Sequence, residues 1–438
     1  MSFGIDKQTL DELNLLGKFR SGSVYNLFNH VRTRGGEQLL DKMFRAPMDD
    51  VAKINERTTV FQFFQQQQFG FPFDAQQVSL MREYLDSGVG KNLVVVFIST
   101  MARRILSSLT RDDRYKKNIQ GLQAVIVVMS KCYDFLQTMP PAPAAYAERV
   151  NAIKVLLADE RIKKLKNIDI YKSLSVNTLI YYNHLLKSKL AAEVEDILSF
   201  IYELDVNINV GTVANSKGFV FAKAFPAENN SFSVTDLRHP CVDKAIGNPL
   251  MLNAKNNVLF LTGANMAGKS TLMKSVGISI YLAHIGFPVA ANDMEFSVRE
   301  GLYSSINVAD NISLGYSHFY AEVVRVKQAA EAAASGKRLL LMFDELFKGT
   351  NVKDAYDGTL AVTEGFAEYT DCLFIVSTHI IEVGEALKGR SNIKFAYMPT
   401  VMEGSRPRYT YKMQEGITED RQGMMIIRNE GILELIGK

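Results

Sequence analysis

The residues best suited to chemistry form a continuous run, Gly263, Ala264, Asn265, Met266, Ala267, Gly268, Lys269 and Ser270, followed by Thr271. Their spacing, G-x-x-x-x-G-K-[ST], is that of a phosphate loop. Glycines let backbone N–H groups turn inward onto phosphate oxygens. A lysine at Lys269 reaches the β- and γ-phosphates of a nucleoside triphosphate, and the Ser270 hydroxyl ligates Mg²⁺. Such a loop needs an acid for its metal. Asp344 and Glu345 follow the apolar run at residues 339–343. Asp344 would hold Mg²⁺ through water, and Glu345 would orient and polarise the attacking water. His379 closes another apolar run, at residues 372–378, where it is placed to meet the γ-phosphate and the water. The plain alternatives are a glycine turn, a pair of acids capping a strand and a surface histidine. His284 and His318 are read as structural.

These residues need strand ends and a helix start to hold them. "NVLFLT", from Asn257, reads as a buried strand entering the loop, and "KSTLMKSVGISIYLAHIG" as a helix leaving it. The helix would add the positive end of its dipole. After about Thr212, short β-rich runs such as "FVFAKAF", "LLLMF" and "CLFIVST" alternate with helical patterns. That alternation predicts parallel strands covered by helices. Before it, apolar residues recur at three- and four-residue steps, which predicts helices. The expected organisation is therefore α plus α/β, with a helical domain over residues 1–212 and an α/β domain over 213–438. "FQFFQQQQFGFPFDAQQ", from Phe61, reads as a core helix ending in a Gly/Pro turn rather than a base-stacking wedge. "RIKKLKN", from Arg161, reads as a solvated helix face rather than a phosphate contact.

Bulk properties narrow the setting without naming a partner. The 438 residues are enough for two or three domains, and a net charge of +3 selects neither for nor against a polyanion. Residues 1–210 hold 27 Lys+Arg against 23 Asp+Glu, too small an excess to argue for nucleic acid alone. Cys132, Cys241 and Cys372 share no metal-like spacing, which suggests a reducing compartment. No apolar leader core and no run of membrane-spanning length is visible. The expected location is cytoplasmic, at the nucleoid if DNA is bound, with no membrane partner.

The wording of the motifs resembles one family. "TGANMAGKST" resembles the "TG-x-N-M-x-GKST" loop of the MutS family of DNA mismatch-repair ATPases, with Asn265 and Met266 as its distinctive letters. "DELFKGTN", from Asp344, "LRHPCVD", from Leu237, "FPVAA", from Phe287, and "YKMQEGITEDRQG", from Tyr411, resemble further family segments. "INVADNISLGYSHFYAEV", from Ile306, resembles the signature segment, with Gly315, Ser317, Phe319 and Glu322 on matching letters. "SVYNLFNHVRTRGGEQLLDKMFRAPM", from Ser23, resembles the start of the family's helical core or lever domain.

The resemblance implies a helical core/lever domain followed by a phosphate-loop ATPase domain of the ABC type, with ATP and Mg²⁺ as ligands. It implies a homodimer through the ATPase domains, in which Ser317 of one subunit contacts the γ-phosphate bound by the other. Ile246 and Lys412 lie near the family's adenine-contacting places. DNA and a repair protein are the partners implied. Departures are also visible. No Phe-x-Glu mismatch wedge occurs in the front half, and residues 70–192 show no convincing counterpart of a DNA clamp. Tyr316 and His318 do not match, and "DRQG" lacks the serine of the family's "S-x-G". The expected function is a dimeric, ATP-hydrolysing, DNA-binding protein of repair or recombination without its own mismatch reader. The alternative is a nucleotide-switched protein-interaction module that does not touch DNA.

Overall fold

The computed structural model describes residues 3–17, 22–88, 93–109, 113–170, 172, 174–306, 318–403, 406–418 and 432–436. The chain divides into two compact units. One comprises Phe28–Met43 and Thr59–Thr212; the other comprises Met1–Leu27, Phe44–Thr58 and Val213–Lys438.

The first unit is helical. Its main elements are Ala75–Asp86, Leu93–Leu109, Arg114–Thr138, Ala144–Leu157, Glu160–Lys166, Val176–His184, a π turn at Leu185–Lys189, and most of Ala191–Lys217. Side-chain caps start several of them: Asp74 accepts from the Gln77 N–H, and Ser175 from that of Thr178. Leu122, Val125, Met129, Leu179, Ile197 and Leu204 meet in one core. Phe63 and Phe64 join it while Gln66, Gln67 and Gln68 face solvent, so the aromatic-glutamine stretch is a core helix end. In the basic run, Ile162 and Leu165 are buried, and Lys163 and Lys166 pair with Glu160 and Asp134.

One buried carboxylate organises this unit. Asp205, 2% exposed, accepts from the Arg32 N–H, the Thr33 N–H and the Thr33 hydroxyl at 2.7–3.0 Å. These contacts fix the entry to helix Arg34–Phe44. Gly35 is required there, because a Cβ would lie 2.2 Å from the Tyr202 ring.

The second unit is built on a seven-stranded sheet. Its order is Gly4–Ile5, Gly301–Ser305, Leu339–Asp344, Leu373–Ser377, Val258–Gly263, Ile393–Met398 and Gln414–Glu415. The first six strands run parallel and the last antiparallel. Val258–Gly263 and Leu373–Ser377 are buried along their whole length, as central parallel strands require. Helices Lys269–His284, His318–Ala334, Val352–Ala367 and Ile381–Leu387 accompany them. A four-stranded sheet of Lys223–Phe225, Asp293–Ser297, Ser231–Leu237 and Asn248–Asn253 completes the unit. Among the described residues, no helix is long and apolar enough to cross a membrane.

The expected all-helical segment 1–212 needs correction in two places. Gly4–Ile5 is a strand of the large sheet, paired with Gly301 and Leu302, and Met1–Leu27 and Phe44–Thr58 group with the sheet-containing unit. Polar contacts tie the N-terminal segment down. Asp6 accepts from the Thr9 N–H and forms an ion pair with the buried Arg325. Glu12 accepts from the Ser304 hydroxyl and from the Ile306 N–H. A two-residue strand has no periodicity to reveal it.

His284 anchors the segment from Phe44 to Thr58. It is fully buried; its Nδ1 lies 2.6 Å from the Met48 carbonyl and its Nε2 accepts from the Arg299 N–H. This pairing assigns a neutral ring protonated at Nδ1. Burial drives the imidazole down to about 4, against the opposing pull of the Met48 carbonyl.

Two outcomes follow from these contacts. Asp205→Ala strands buried donors and is expected to cost roughly 2–4 kcal/mol, read as a lower urea midpoint by circular dichroism; Asp205→Asn should cost less. For His284, the unfolded ring titrates near 6.5 and the folded ring near 4. The unfolded chain therefore takes up the proton first, so this group's contribution is complete above about pH 6.5 and is lost as pH falls towards 4. The loss amounts to roughly 3 kcal/mol. Unfolding titrations of the wild type and His284→Asn across that range should show a shallower pH dependence in the variant.

Candidate functional site

The strand Val258–Gly263 delivers the glycine-rich loop, and the helix Lys269–His284 leaves it. Gly263 has φ +143° and Gly268 φ +105°, both disfavoured for any residue with a Cβ. At Gly263 the Met398 carbonyl lies 3.0 Å from where a Cβ would stand; at Gly268 the Tyr411 ring lies 3.1 Å away. Gly268 is the N-cap of a 16-residue helix and brings no side chain to cap it. The first-turn N–H groups are thus presented to a ligand, with the positive end of the helix dipole behind them. Asn265 and Met266 are exposed, Met266 in the left-handed region at φ +67°, while Ala267 is buried.

Lys269 lies along the inside of the loop. Its Nζ donates to the carbonyls of Gly263 at 2.9 Å and Ala264 at 3.2 Å. Burial lowers its pKa, with Glu345 and Asp344 acting in the other direction. Ser270 donates its hydroxyl to one oxygen of Asp344, and Ser377 donates to the other. Strand register accounts for the meeting: Asp344 stands opposite Ser377, and Ser377 opposite Leu261, two residues before Gly263. Three adjacent parallel strands therefore end at one edge, where ligands bind in open α/β sheets.

Glu345 turns out of its strand at φ +53°, held by its N–H donating to the Ser377 carbonyl at 2.8 Å. Its carboxylate stands 3.7 Å from Nδ1 of His379, an ion-pair distance. The neighbouring His379 imidazole, with Lys269 and Lys348, holds the Glu345 carboxyl below its usual range, against the effect of burial. Glu345 is thus kept ionised, as a group that accepts a proton or orients water must be. The hard oxygens of Ser270 and Asp344 suit Mg²⁺, which is commonly bound through one or two protein oxygens plus substrate phosphates.

Beside the loop lies a cavity of about 340 Å³, lined by His239, Val242, Ile246, Leu272 and Tyr411 among others. Burial, aided by Lys274, pushes His239 down to about 4, so it is neutral. Ile246, singled out from the sequence, lines this cavity. Lys412 does not; its Nζ donates to the Gly247 carbonyl at 2.6 Å and helps shape the wall. Gly315, Tyr316 and Ser317 lie outside the described residues, as does most of "TEDRQG". Phe319 packs on Phe347, and Glu322 is buried. Sequence reasoning missed Ser377, Tyr411 and the role of His239. Ser377 carried a usable signal, a small hydroxyl residue at a strand end beside the acidic strand.

Comparison with known proteins finds similarity over part of the chain. Residues 259–436 match the family model described as MutS domain V. The chain is 26% identical over 302 residues to DNA mismatch repair protein MutS of Bacillus cytotoxicus, covering 67% of this chain and 32% of that protein. It is 32% identical over 216 residues to DNA mismatch repair protein MutS of Anaplasma phagocytophilum, covering 48% of this chain and 26% of that protein. The chain thus spans about a third or less of the length of these relatives. The matched part of the chain, residues 259–436, is thus similar to MutS domain V, and it contains both the glycine-rich loop from Gly263 and the acidic strand end at Asp344.

Proposed function

We propose that the chain is a Mg²⁺-dependent ATPase that works as a dimer on DNA, in repair or recombination. The observation that carries this reading is the meeting of Lys269, Ser270, Asp344 and Glu345 at one edge of the parallel sheet. Loop N–H groups and Lys269 bind the phosphates, and the cavity beside Gly268 takes the adenosine. Ser270 and Asp344 would hold Mg²⁺, which supplies charge neutralisation at the β- and γ-phosphates. Glu345 orients the attacking water, and His379 holds that carboxylate ionised beside the γ-phosphate. Ser317 acts in trans, on the γ-phosphate bound by the partner subunit's Lys269, where an added donor stabilises transferring charge. The printed names of the relatives, DNA mismatch repair proteins, support DNA as the partner.

A second reading, a nucleotide-driven switch acting on a protein, draws on one surface. On helix Leu93–Leu109, Leu93, Val95, Phe97 and Ile98 are 47–60% exposed, more apolar surface than a lone helix face needs. Salt-dependent binding to duplex, mismatched or branched DNA favours the first reading; its absence on all three favours the second.

Steady-state hydrolysis and equilibrium nucleotide binding test the enzymology. Glu345→Gln should retain ATP and lose about 100-fold or more in kcat. Lys269→Ala should lose ATP affinity itself. A Glu345→Gln protein that turns over normally would remove Glu345 from its role.

A further inference from the structure

Ser377, the last residue of strand Leu373–Ser377, touches both acids of the sheet edge. Its hydroxyl donates to Oδ1 of Asp344, while Ser270 donates to Oδ2. Its carbonyl accepts from the Glu345 N–H at 2.8 Å. The same backbone runs on through Thr378, whose N–H donates to the Leu261 carbonyl at 3.1 Å, to His379 beside Glu345. Ser377 is fully buried, and the other residues of its strand are Leu373, Phe374, Ile375 and Val376. A hydroxyl placed at the end of so apolar a strand is costly unless it is hydrogen-bonded. The bond to Asp344 satisfies it.

The two serines act on the carboxylate in different ways. A carboxylate held at one oxygen still turns about its terminal torsion, which is broad and roughly two-fold. With Ser270 alone, Asp344 would keep that freedom; a second bond, to the other oxygen, removes it. Ser270 is half-buried at the start of the loop helix, and its oxygen is one that a metal would use. Ser377 is enclosed in the sheet, so its donor has no metal to share. Water is a poor substitute for it, because removing one hydroxyl from a closed strand leaves less room than a water molecule needs.

We infer that Ser377 is a positioning residue of the metal site. Its hydroxyl fixes the Asp344 carboxylate in the orientation that receives a divalent cation, and the affinity for that cation depends on it. The inference rests on the reading of the sheet edge as a Mg²⁺–ATP site. Partners bonded to a metal-holding side chain rather than to the metal commonly carry roughly 10–100-fold in metal affinity. The role is separable from that of Glu345, which is held by the Ser377 carbonyl and not by its side chain.

Mn²⁺, a stand-in for Mg²⁺ visible by electron paramagnetic resonance, tests this when titrated into the full chain in excess over a non-hydrolysable ATP analogue. Asp344→Asn is the reference variant. The wild type should hold Mn²⁺ and Asp344→Asn should hold it poorly. Ser377→Ala should bind it about tenfold more weakly than the wild type. In steady-state hydrolysis, the Mg²⁺ concentration for half-maximal rate should rise by a larger factor in Ser377→Ala than kcat falls. Urea titration by circular dichroism records stability separately. Ser377→Cys, similar in shape with a weaker donor, should fall between the wild type and the alanine variant, and takes its place if that chain does not fold. Mn²⁺ affinity equal to or tighter than wild type in the Ser377 variants, with only the urea midpoint lowered, overturns the inference and assigns the hydroxyl to stability. Wild type and Asp344→Asn proteins that hold Mn²⁺ equally, or not at all, overturn instead the reading of the metal site on which it rests.

Discussion

Asp344 takes a hydroxyl hydrogen bond on each carboxylate oxygen, one from Ser270 at the start of the loop helix and one from Ser377 at the end of the neighbouring strand. This contact joins three parts of the chain that are far apart in sequence. It exists because parallel register brings the C-terminal ends of Val258–Gly263, Leu373–Ser377 and Leu339–Asp344 level with one another. A one-residue slip would turn the side chain of Asp344 to the other face of its strand.

Around that contact the loop is shaped as much by backbone as by side chains. Gly263 and Gly268 occupy conformations that only glycine adopts easily, and each has a neighbour where a Cβ would stand. Glu345 also sits at positive φ without being a glycine, held by its N–H to the Ser377 carbonyl. Strain of this kind is expected where a side chain must be aimed rather than merely packed. The turn carries the Glu345 carboxylate towards His379 and away from the strand core.

Much of this was legible in the sequence, and for identifiable reasons. The glycine-rich loop, the acidic strand end and His379 are local patterns, each a short apolar run followed by polar residues. The large buried strands were visible because their apolar runs are uninterrupted. What escaped notice depends on contacts between distant segments. Gly4–Ile5 is too short to show a period, and its place in the sheet rests on the Asp6–Arg325 pair and on Glu12 at Ser304. Tyr411 and His239 line one cavity although about 170 residues separate them, and no spacing rule brings such residues together. Lys412 illustrates the opposite limit: it is adjacent in sequence to a cavity-lining residue, yet its amine is committed to the Gly247 carbonyl. Asp205 carries no local pattern that marks it out; the fold buries it against the backbone of Arg32 and Thr33, far away in sequence.

The central claim is that this sheet edge binds Mg²⁺ and ATP as one site. A crystal structure of the full chain with Mg²⁺ and a non-hydrolysable ATP analogue tests it most directly. The account predicts phosphates against the loop N–H groups and Lys269, the metal at Ser270 and Asp344, and the base in the cavity lined by His239 and Ile246. A nucleotide bound elsewhere, or a metal held away from Asp344, would contradict it.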